Sequence, residues 1–158
     1  MVKVPLSGGG FSIVDGEDSV LGLQHSWFKF KNGKGVYARC RIGSRYVQMH
    51  RMILGVSDPK ICVDHENHIG LDNRRLNIRI STKSQNGANT RKYKGASVFK
   101  GVAWHKRSGK WRAQITKTFA GKEKQKLLGC YEEEREAALV YNVEAIKAFG
   151  EFALLNTL

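Results

Sequence analysis

The sequence predicts an α+β fold: antiparallel strands, a strand-loop-strand-helix unit, and a small three-stranded sheet packed on one helix. Residues 26–50, SWFKFKNGKGVYARCRIGSRYVQMH, alternate apolar and basic side chains with the two-residue period of strands. Residues 61–90 contain two short apolar runs around a polar loop, and residues 98–150 contain three strand-like runs before a helical pattern. Short connections with turn residues join such strands as antiparallel neighbours.

Turn signals divide the first region, with Asn-Gly at positions 32 and 33 and Gly-Ser at positions 43 and 44. Between them, residues 35–42 place small or apolar side chains on one face of the predicted strand, and Tyr37, Arg39 and Arg41 on the other. This basic, aromatic face is either a polyanion-binding strip or the solvated side of an ordinary sheet. The pattern of one strand does not distinguish between these two interpretations.

The second region predicts a short strand at 61–63, a polar loop containing glycine, and a second strand, NIRIS, at 77–81. A short helix follows in TKSQNGANTR, capped by Ser81 or Thr82 and weakened by Gly87. The core of this unit is too small to stand alone, so we expect it to pack on the preceding sheet.

The polar segment NTRKYKG, at 89–95, predicts a boundary between domains at 1–92 and 96–158. The second domain has three strand-like runs, VFKGVAW, KWRAQITKT and KQKLLGCY, separated by turns. Its final helix begins in an acidic stretch and ends at Gly150. Acidic residues are favoured at the start of a helix and glycine just after its end. A stripe of mostly small residues lets this helix lie close to the sheet; its members are Ala137, Ala138, Tyr141, Ala145 and Ala148.

The charge predicts a polyanionic partner. The net charge is +13 over 158 residues, and the pI is about 9.9. Residues 94–129 contain ten Lys and Arg but a single acid, Glu123. An ordinary solvated surface mixes both signs, so this imbalance favours nucleic-acid binding.

The three cysteines are isolated, without a C-x-x-C pair, and no apolar leader follows Met1, so we expect a reducing, cytoplasmic setting without disulfides. No apolar run is long enough to span a bilayer, and no long basic amphipathic helix suggests membrane-surface binding. No dimerisation seam is evident, so we expect a monomer that does not bind membranes.

The stretch VDHENHIGLDNRRLNIRISTKSQN is the candidate for catalysis. Asp64 next to His65 is a structural pair, a metal site, or a general base beside a metal ligand. The sequence does not have the Cys and His spacing of a structural zinc site, nor the G-x-S-x-G elbow that carries a serine nucleophile. A hard-metal site of one carboxylate and neutral oxygens remains, with neutral His65 taking a proton from water. The flanking Arg74, Arg75 and Arg79 would hold the polyanion.

The motifs DH, LDNRRLNIR and SQN, with MHRMILG upstream, resemble the HNH homing endonucleases of the phage type, whose motif runs His-Asn-Asn. This resemblance implies a ββα-metal fold at about 61–90. It implies that Asp64 and Asn86 bind one Mg²⁺ or Mn²⁺, that His65 is the general base, and that Asn77 holds the loop or orients His65. Asn86 stands where other families have histidine, which implies a weaker site that depends more on phosphate ligands. His50 is either structural or a phosphate contact.

The segments FKGVAWHKRSGKWRAQI, LLGCY, EEEREAALVYN and FGEFALLN resemble the plant ethylene-response-factor (APETALA-two) DNA-binding domain, in the version appended to phage homing endonucleases. This resemblance implies a sheet in the major groove, backed by a helix. The positions matched to DNA contacts are Lys100, His105, Arg107, Gln114, Thr116 and Tyr141. The acid-poor strands add Lys106, Lys110 and Arg112 as DNA-binding candidates. Ala103 and Leu127 depart from the plant pattern, so the plant target sequence is not implied.

Together these patterns predict a two-domain, homing-type hydrolase that cuts double-stranded DNA, by nicking or at a specific site. A first alternative is a non-catalytic, sequence-specific DNA-binding regulator on the same scaffold. A second is a basic protein that binds RNA or the ribosome, which a competition between duplex DNA and structured RNA would separate from the others.

Overall fold

The computed structural model describes residues 1–33, 35–91, 95–119 and 122–158. The chain divides into two compact units, Met1–Thr82 and Lys83–Leu158. Both contain antiparallel sheets and helices, which confirms the α+β class. Lys92, Tyr93 and Lys94 of the predicted linker lie outside the described residues, so the domain boundary placed there stays a prediction.

In its described residues, the first unit has three antiparallel sheets and two short helices. β1 pairs with β2, β4 lies between β3 and β5, and β6 pairs with β7. The elements are β1 Val2–Pro5, β2 Phe11–Val14, α1 Ser19–Leu23, β3 Phe28–Asn32, β4 Gly35–Ile42, β5 Arg45–Gln48, α2 Met49–Ile53, β6 Cys62–His65 and β7 Ile78–Ser81.

The alternation predicted for β4 matches its burial at the centre of the strand. Ala38 and Cys40 lie in the core, while the strand ends, Val36 and Ile42, are exposed. The core is centred on Trp27, whose indole Nε1 donates a hydrogen bond to a backbone carbonyl 2.7 Å away. A buried indole N–H needs such a partner, because an unpaired polar group in the core is costly.

The β6–β7 hairpin packs on the rest of the first unit, as expected for an element with so little core of its own. Ile78, the first residue of β7, belongs to the same buried cluster as Trp27 and Met49. In the hairpin register, Asp64 lies opposite Arg79 and His65 opposite Ile78. The core contact of Ile78 therefore fixes the end of the hairpin that carries His65.

The second unit has one antiparallel sheet in the order β10-β9-β8. Two α-helices and a short 3-10 helix accompany it in the part of this unit that the structure describes. The elements are α3 Lys83–Ala88, β8 Val102–His105, β9 Lys110–Phe119, β10 Lys122–Tyr131, α4 Glu134–Phe149 and the 3-10 helix Gly150–Phe152.

Small residues bring α4 onto this sheet. Ala137 and Ala138 are fully buried and pack with the strand residues Val102 and Ala113. Ala145 is also fully buried and packs in a second cluster with Ile115 and Tyr141. The buried stripe predicted for this helix is thus confirmed at these positions, while Ala148 is only partly buried. In the described part of the chain no helix has the length and apolar character needed to cross a membrane.

β8 begins at Val102, later than the predicted run that starts at Val98. Gly101 explains the late start, because its φ of 74° is a left-handed conformation that interrupts an extended strand. A Cβ at Gly101 would lie 2.0 Å from Cδ2 of Tyr141. The missing side chain therefore lets the tyrosine ring lie against the backbone.

Candidate active site and nucleic-acid interface

Asp64 and His65 are the last two residues of β6, and both are buried, with 7% and 6% of their surface exposed. Burying ionisable side chains next to each other costs free energy unless each has partners. Their environments therefore indicate what each residue can do.

Two aromatic rings enclose the His65 imidazole. The His50 ring lies edge-on with its centroid 4.9 Å away, and the Tyr37 ring lies 5.8 Å away. Burial lowers the pKa of His65, although a hydrogen bond with Asn73 and the negative charges of Asp64 and neighbouring Asp72 oppose the shift. His65 is consequently neutral near pH 7, the state in which an imidazole can accept a proton.

His50 is buried at the start of α2. Burial, with smaller electrostatic effects of neighbouring His65 and Arg51, lowers the pKa of His50 to about 3. A buried, uncharged histidine packed on His65 fits the structural alternative for His50 better than a phosphate contact.

Arg79 forms an ion pair with Asp64 across the hairpin. Its Nη2 and Nε atoms lie 3.1 Å and 3.2 Å from Asp64 Oδ2, and its Nη1 lies 3.7 Å from a Glu66 carboxylate oxygen. The Arg79 side chain is itself largely buried. Its guanidinium is therefore held between carboxylates of the hairpin, where it balances the charge of Asp64.

The loop between β6 and β7 is closed by Asn77. Its Oδ1 accepts a 3.0 Å hydrogen bond from the Asn67 backbone N–H, and its Nδ2 donates a 2.6 Å hydrogen bond to the Asp72 carbonyl. Asn67 Nδ2 adds a 2.8 Å hydrogen bond to the Asp72 carboxylate. One buried carboxamide thus joins both sides of the loop that follows His65.

The other two arginines of the motif are also paired with acids. Arg74 donates two hydrogen bonds to the Asp72 carboxylate, at 2.7 Å and 2.8 Å, and these bonds lower the pKa of Asp72. Arg75 makes a similar pair with Asp18 and lies 2.8 Å from Glu17. Both guanidiniums remain half exposed, so they fasten the loop while keeping a face toward solvent.

The predicted metal ligands, Asp64 and Asn86, offer carboxylate and carboxamide oxygens, the hard donors that magnesium-class ions prefer. Asp64 belongs to the first unit, and Asn86 lies on α3 in the second. Within the described ranges, no cluster of three His, Cys, Asp or Glu side chains could hold a metal. Each of the two side chains offers a donor atom of the kind that such an ion binds, and the metal site itself stays a prediction.

One face of the second unit's sheet carries several of the residues predicted to contact DNA. Ala113 and Ile115 of β9 point into the core beneath α4, so the alternating residues Arg112, Gln114 and Thr116 lie on the opposite face. Lys110 begins the same row and pairs with His105 of β8. Its ammonium also lies 2.7 Å from a carboxylate oxygen of Glu132.

The turn between β8 and β9 presents Lys106 and Arg107 to solvent. His105 Nδ1 lies 2.7 Å from Ser108 Oγ across this turn. Both cations are therefore exposed at the end of the hairpin that β8 and β9 form.

Lys100 and Tyr141, which were also predicted to contact DNA, have other surroundings. The Lys100 ammonium donates to three backbone carbonyls, those of Gly87 at 3.2 Å, Thr90 at 2.8 Å, and Ala88. These carbonyls lie at and just after the end of α3, and burial lowers the pKa of Lys100 to about 8. Tyr141 is only 3% exposed. Lys100 thus caps α3 and Tyr141 packs in the core, and the DNA contacts predicted for both stay predictions.

Sequence reasoning missed several residues around His65: Ser12, Tyr37 and Asn73, with His50 left ambiguous. Asn73 lies inside the LDNRR segment and could have been selected there. Ser12 carries no local signal, because it is 61 residues from Asn73, to which it is hydrogen bonded. The strip predicted on β4 contains Tyr37, but strand periodicity does not indicate that its ring meets His65.

The chain has recognisable relatives, although no protein-family model and no solved structure matches it. It is 29% identical over 153 residues to "Uncharacterized HNH endonuclease L560" of Acanthamoeba polyphaga mimivirus, which covers 94% of this chain and 75% of the relative. It is 38% identical over 63 residues, or 40% of this chain, to the ethylene-responsive transcription factor WRI1 of Arabidopsis thaliana, of which it covers 14%. The AP2-like ethylene-responsive transcription factor CRL5 of rice matches to the same extent, with 10% of its length covered. The chain thus spans only a small part of these plant relatives.

Proposed function

We propose that this protein is a metal-dependent DNA endonuclease of the HNH type. The observation that carries the proposal is the neutral, enclosed His65 beside Asp64, on a hairpin whose following loop is closed by Asn77. The viral relative named as an HNH endonuclease, which matches most of the chain, supports it. The plant matches alone do not account for such a buried acid-histidine pair.

In the proposed reaction, the His65 imidazole takes a proton from a water molecule as the water oxygen attacks a phosphodiester phosphorus. The bond from phosphorus to the leaving oxygen breaks in the same displacement. Asp64 and Asn86 would hold one Mg²⁺ or Mn²⁺, which supplies stabilisation of the charge that develops on the phosphate oxygens. Asn77 keeps the loop after His65 closed, and Tyr37 and His50 exclude water from two sides of the imidazole.

The second unit would hold duplex DNA on the outer face of its sheet. Arg112, Gln114 and Thr116 alternate along β9 on that face, and the turn cations lie at the end of the hairpin that β8 and β9 form. A sheet of two or three strands can enter the major groove of B-form DNA. If these cations bind DNA, the affinity should fall as salt is added. A plot of the logarithm of the binding constant against the logarithm of the salt concentration should have a slope of about −0.9 for each phosphate neutralised.

A monomer with one such site would nick one strand of a duplex, in the manner of a homing-type enzyme. The competing function is a DNA-binding regulator that does not cut. Two observations favour that alternative: the plant relatives named as transcription factors, and the Arg79 guanidinium that already pairs with the proposed metal ligand Asp64.

The test is conversion of supercoiled plasmid to open-circle and linear forms by the purified protein, with Mg²⁺, with Mn²⁺ and with EDTA. We expect open circles to accumulate with either metal and not with EDTA. A second arm measures how well duplex DNA and structured RNA compete with the plasmid for binding to the protein. Binding without cutting in either metal would favour the regulator, and preferential displacement by RNA would contradict both DNA-based functions.

A further inference from the structure

We infer that Asn73 is a positioning residue for the proposed reaction: it holds His65 in the tautomer that is protonated on Nε2, so that Nδ1 is the atom that accepts the proton. The inference rests on the proposed function for its catalytic meaning. The hydrogen bonds that carry it are independent of that function. They join Asn73 and His65 to Ser12, in a distant part of the sequence.

The series of hydrogen bonds begins at a backbone carbonyl. Ser12 Oγ donates a 2.8 Å hydrogen bond to the carbonyl of Leu71, which can only accept. A serine hydroxyl has one hydrogen, so its oxygen can only accept from its next neighbour. That neighbour is Asn73, whose amide lies 2.7 Å from Ser12 Oγ. The amide atom facing Ser12 must therefore be the nitrogen.

The orientation of the Asn73 amide then determines the histidine. With Nδ2 toward Ser12, and also 3.4 Å from the Met49 sulfur, Oδ1 is the atom that lies 3.1 Å from His65 Nε2. A carboxamide oxygen only accepts, so His65 Nε2 must donate. A neutral imidazole has one N–H, and Nδ1 is therefore the nitrogen with the basic lone pair.

The backbone holds Asn73 in place as firmly as its side chain does. The Asn73 N–H donates a 2.7 Å hydrogen bond to the Ile13 carbonyl, and the Ile13 N–H donates a 2.8 Å bond to the Leu71 carbonyl. Both Ser12 and Asn73 are fully buried, at 0% exposure. Water therefore does not compete with this series of hydrogen bonds. If the Asn73 amide were flipped, two donors or two acceptors would face each other.

The arrangement gives Asn73 a different task from Asn77. Among the residues that the structure describes, the Asn77 side chain bonds to backbone groups of the loop, whereas Asn73 bonds to the imidazole itself. A base with the wrong nitrogen protonated cannot take the proton of the attacking water. In a serine protease, loss of the correct histidine tautomer lowers kcat by about 10⁴-fold.

The experiment is nitrogen NMR of the full chain labelled with ¹⁵N-histidine, in mildly alkaline buffer, beside single-turnover cleavage of plasmid. The chain has five histidines, so the His65 signals are assigned by their loss in His65→Gln. We expect wild-type His65 to show a protonated Nε2 and an unprotonated Nδ1. The variants are Asn73→Ala and Ser12→Ala, so that a failure of Asn73→Ala to fold leaves a second test. The matched control is Ser19→Ala, which loses an exposed 2.6 Å bond from Oγ to the Gly16 carbonyl.

Asn73→Ala should lose the single tautomer and slow cleavage about 100-fold with DNA affinity unchanged. Ser12→Ala should give a mixture of tautomers and an intermediate rate, and Ser19→Ala should match the wild type. A wild-type His65 protonated on Nδ1, or variants that keep both the Nε2–H signal and the wild-type rate, would overturn the inference. A wild-type protein that cuts no DNA but loses the predicted tautomer in Asn73→Ala would refute the nuclease proposal and support the hydrogen-bond assignment.

Discussion

The Arg79 guanidinium lies 3.1 Å from Asp64 Oδ2, between directly opposed residues of β6 and β7. In the first unit, this pair sets the electrostatics of the candidate site, because it places a guanidinium against a buried carboxylate next to His65. The same carboxylate is the proposed metal ligand. A bound divalent ion would therefore either replace Arg79 as the positive partner of Asp64 or share the carboxylate with it.

Arg79→Met should destabilise the protein by about 3 kcal/mol, because it removes one partner of a buried ion pair. Mg²⁺ should then raise the melting temperature of this variant more than that of the wild type, since the ion would supply the missing positive charge. Differential scanning calorimetry with Mg²⁺ and with EDTA measures both effects. Arg41→Met is the control, because Arg41 is exposed and bonds only to the Gly43 carbonyl in the described contacts. Equal melting temperatures of Arg79→Met with and without Mg²⁺ would contradict a metal role for Asp64.

Asn77→Ala should abolish cleavage while leaving DNA affinity nearly unchanged. The substitution leaves the Asn67 N–H and the Asp72 carbonyl without the carboxamide that joins them, at a cost of about 2 kcal/mol. Asn77→Asp keeps the acceptor for Asn67 but loses the donor to Asp72, so an intermediate rate is expected. Hydrogen exchange of the loop amides at 66–69 reports the loosening. Protection equal to wild type in Asn77→Ala would show that another contact closes the loop.

Lys100→Met should destabilise the second unit by about 2 kcal/mol, because three carbonyls at the end of α3 lose their donor. It should not change the salt dependence of DNA binding. Lys106→Met, in the exposed turn, should do the reverse: stability unchanged, and a salt slope smaller by about 0.9. Urea unfolding followed by tryptophan fluorescence, and binding titrations at several salt concentrations, separate the two. A reduced slope for Lys100→Met would support the DNA contact predicted from sequence.

Gly101→Ala should cost about 3 kcal/mol of stability. Its φ of 74° strains any other residue, and the new Cβ would lie 2.0 Å from the Tyr141 ring. Gly109→Ala is a matched control, because Gly109 has a similar φ of 63° but no atom within 4 Å of a Cβ. That variant should lose only about 1 kcal/mol from backbone strain. Equal losses in thermal unfolding would mean that the tyrosine ring moves aside at no cost.

The sequence predicted local elements well because their signals are local. The alternation in β4, the small-residue stripe of α4 and the turn glycine at 43 each involve neighbours a few positions apart. The start of β8 was placed too early, since the conformation of Gly101 depends on packing against Tyr141, forty residues later.

The candidate site was only partly predictable for the same reason. The Asp-His pair and Asn77 stand in one motif, but the bonds that orient His65 run through Ser12 of β2. Similarly, Asn156 ties the C-terminal segment to both Lys100 and Asn142 through four hydrogen bonds at 2.7–3.0 Å. Such bonds between distant segments have no periodicity or spacing to reveal them.

The central claim is that His65 takes a proton during metal-dependent cutting of DNA. The most direct measurement is the single-turnover nicking rate of His65→Ala with saturating protein and Mg²⁺, beside DNA affinity measured in EDTA. His25→Ala is the control, since that histidine packs edge-on against Trp27 and has no assigned role. We predict nicking at least about 100-fold slower for His65→Ala, with affinity unchanged, and wild-type behaviour for His25→Ala. A His65→Ala protein that nicks DNA at the wild-type rate would contradict the account.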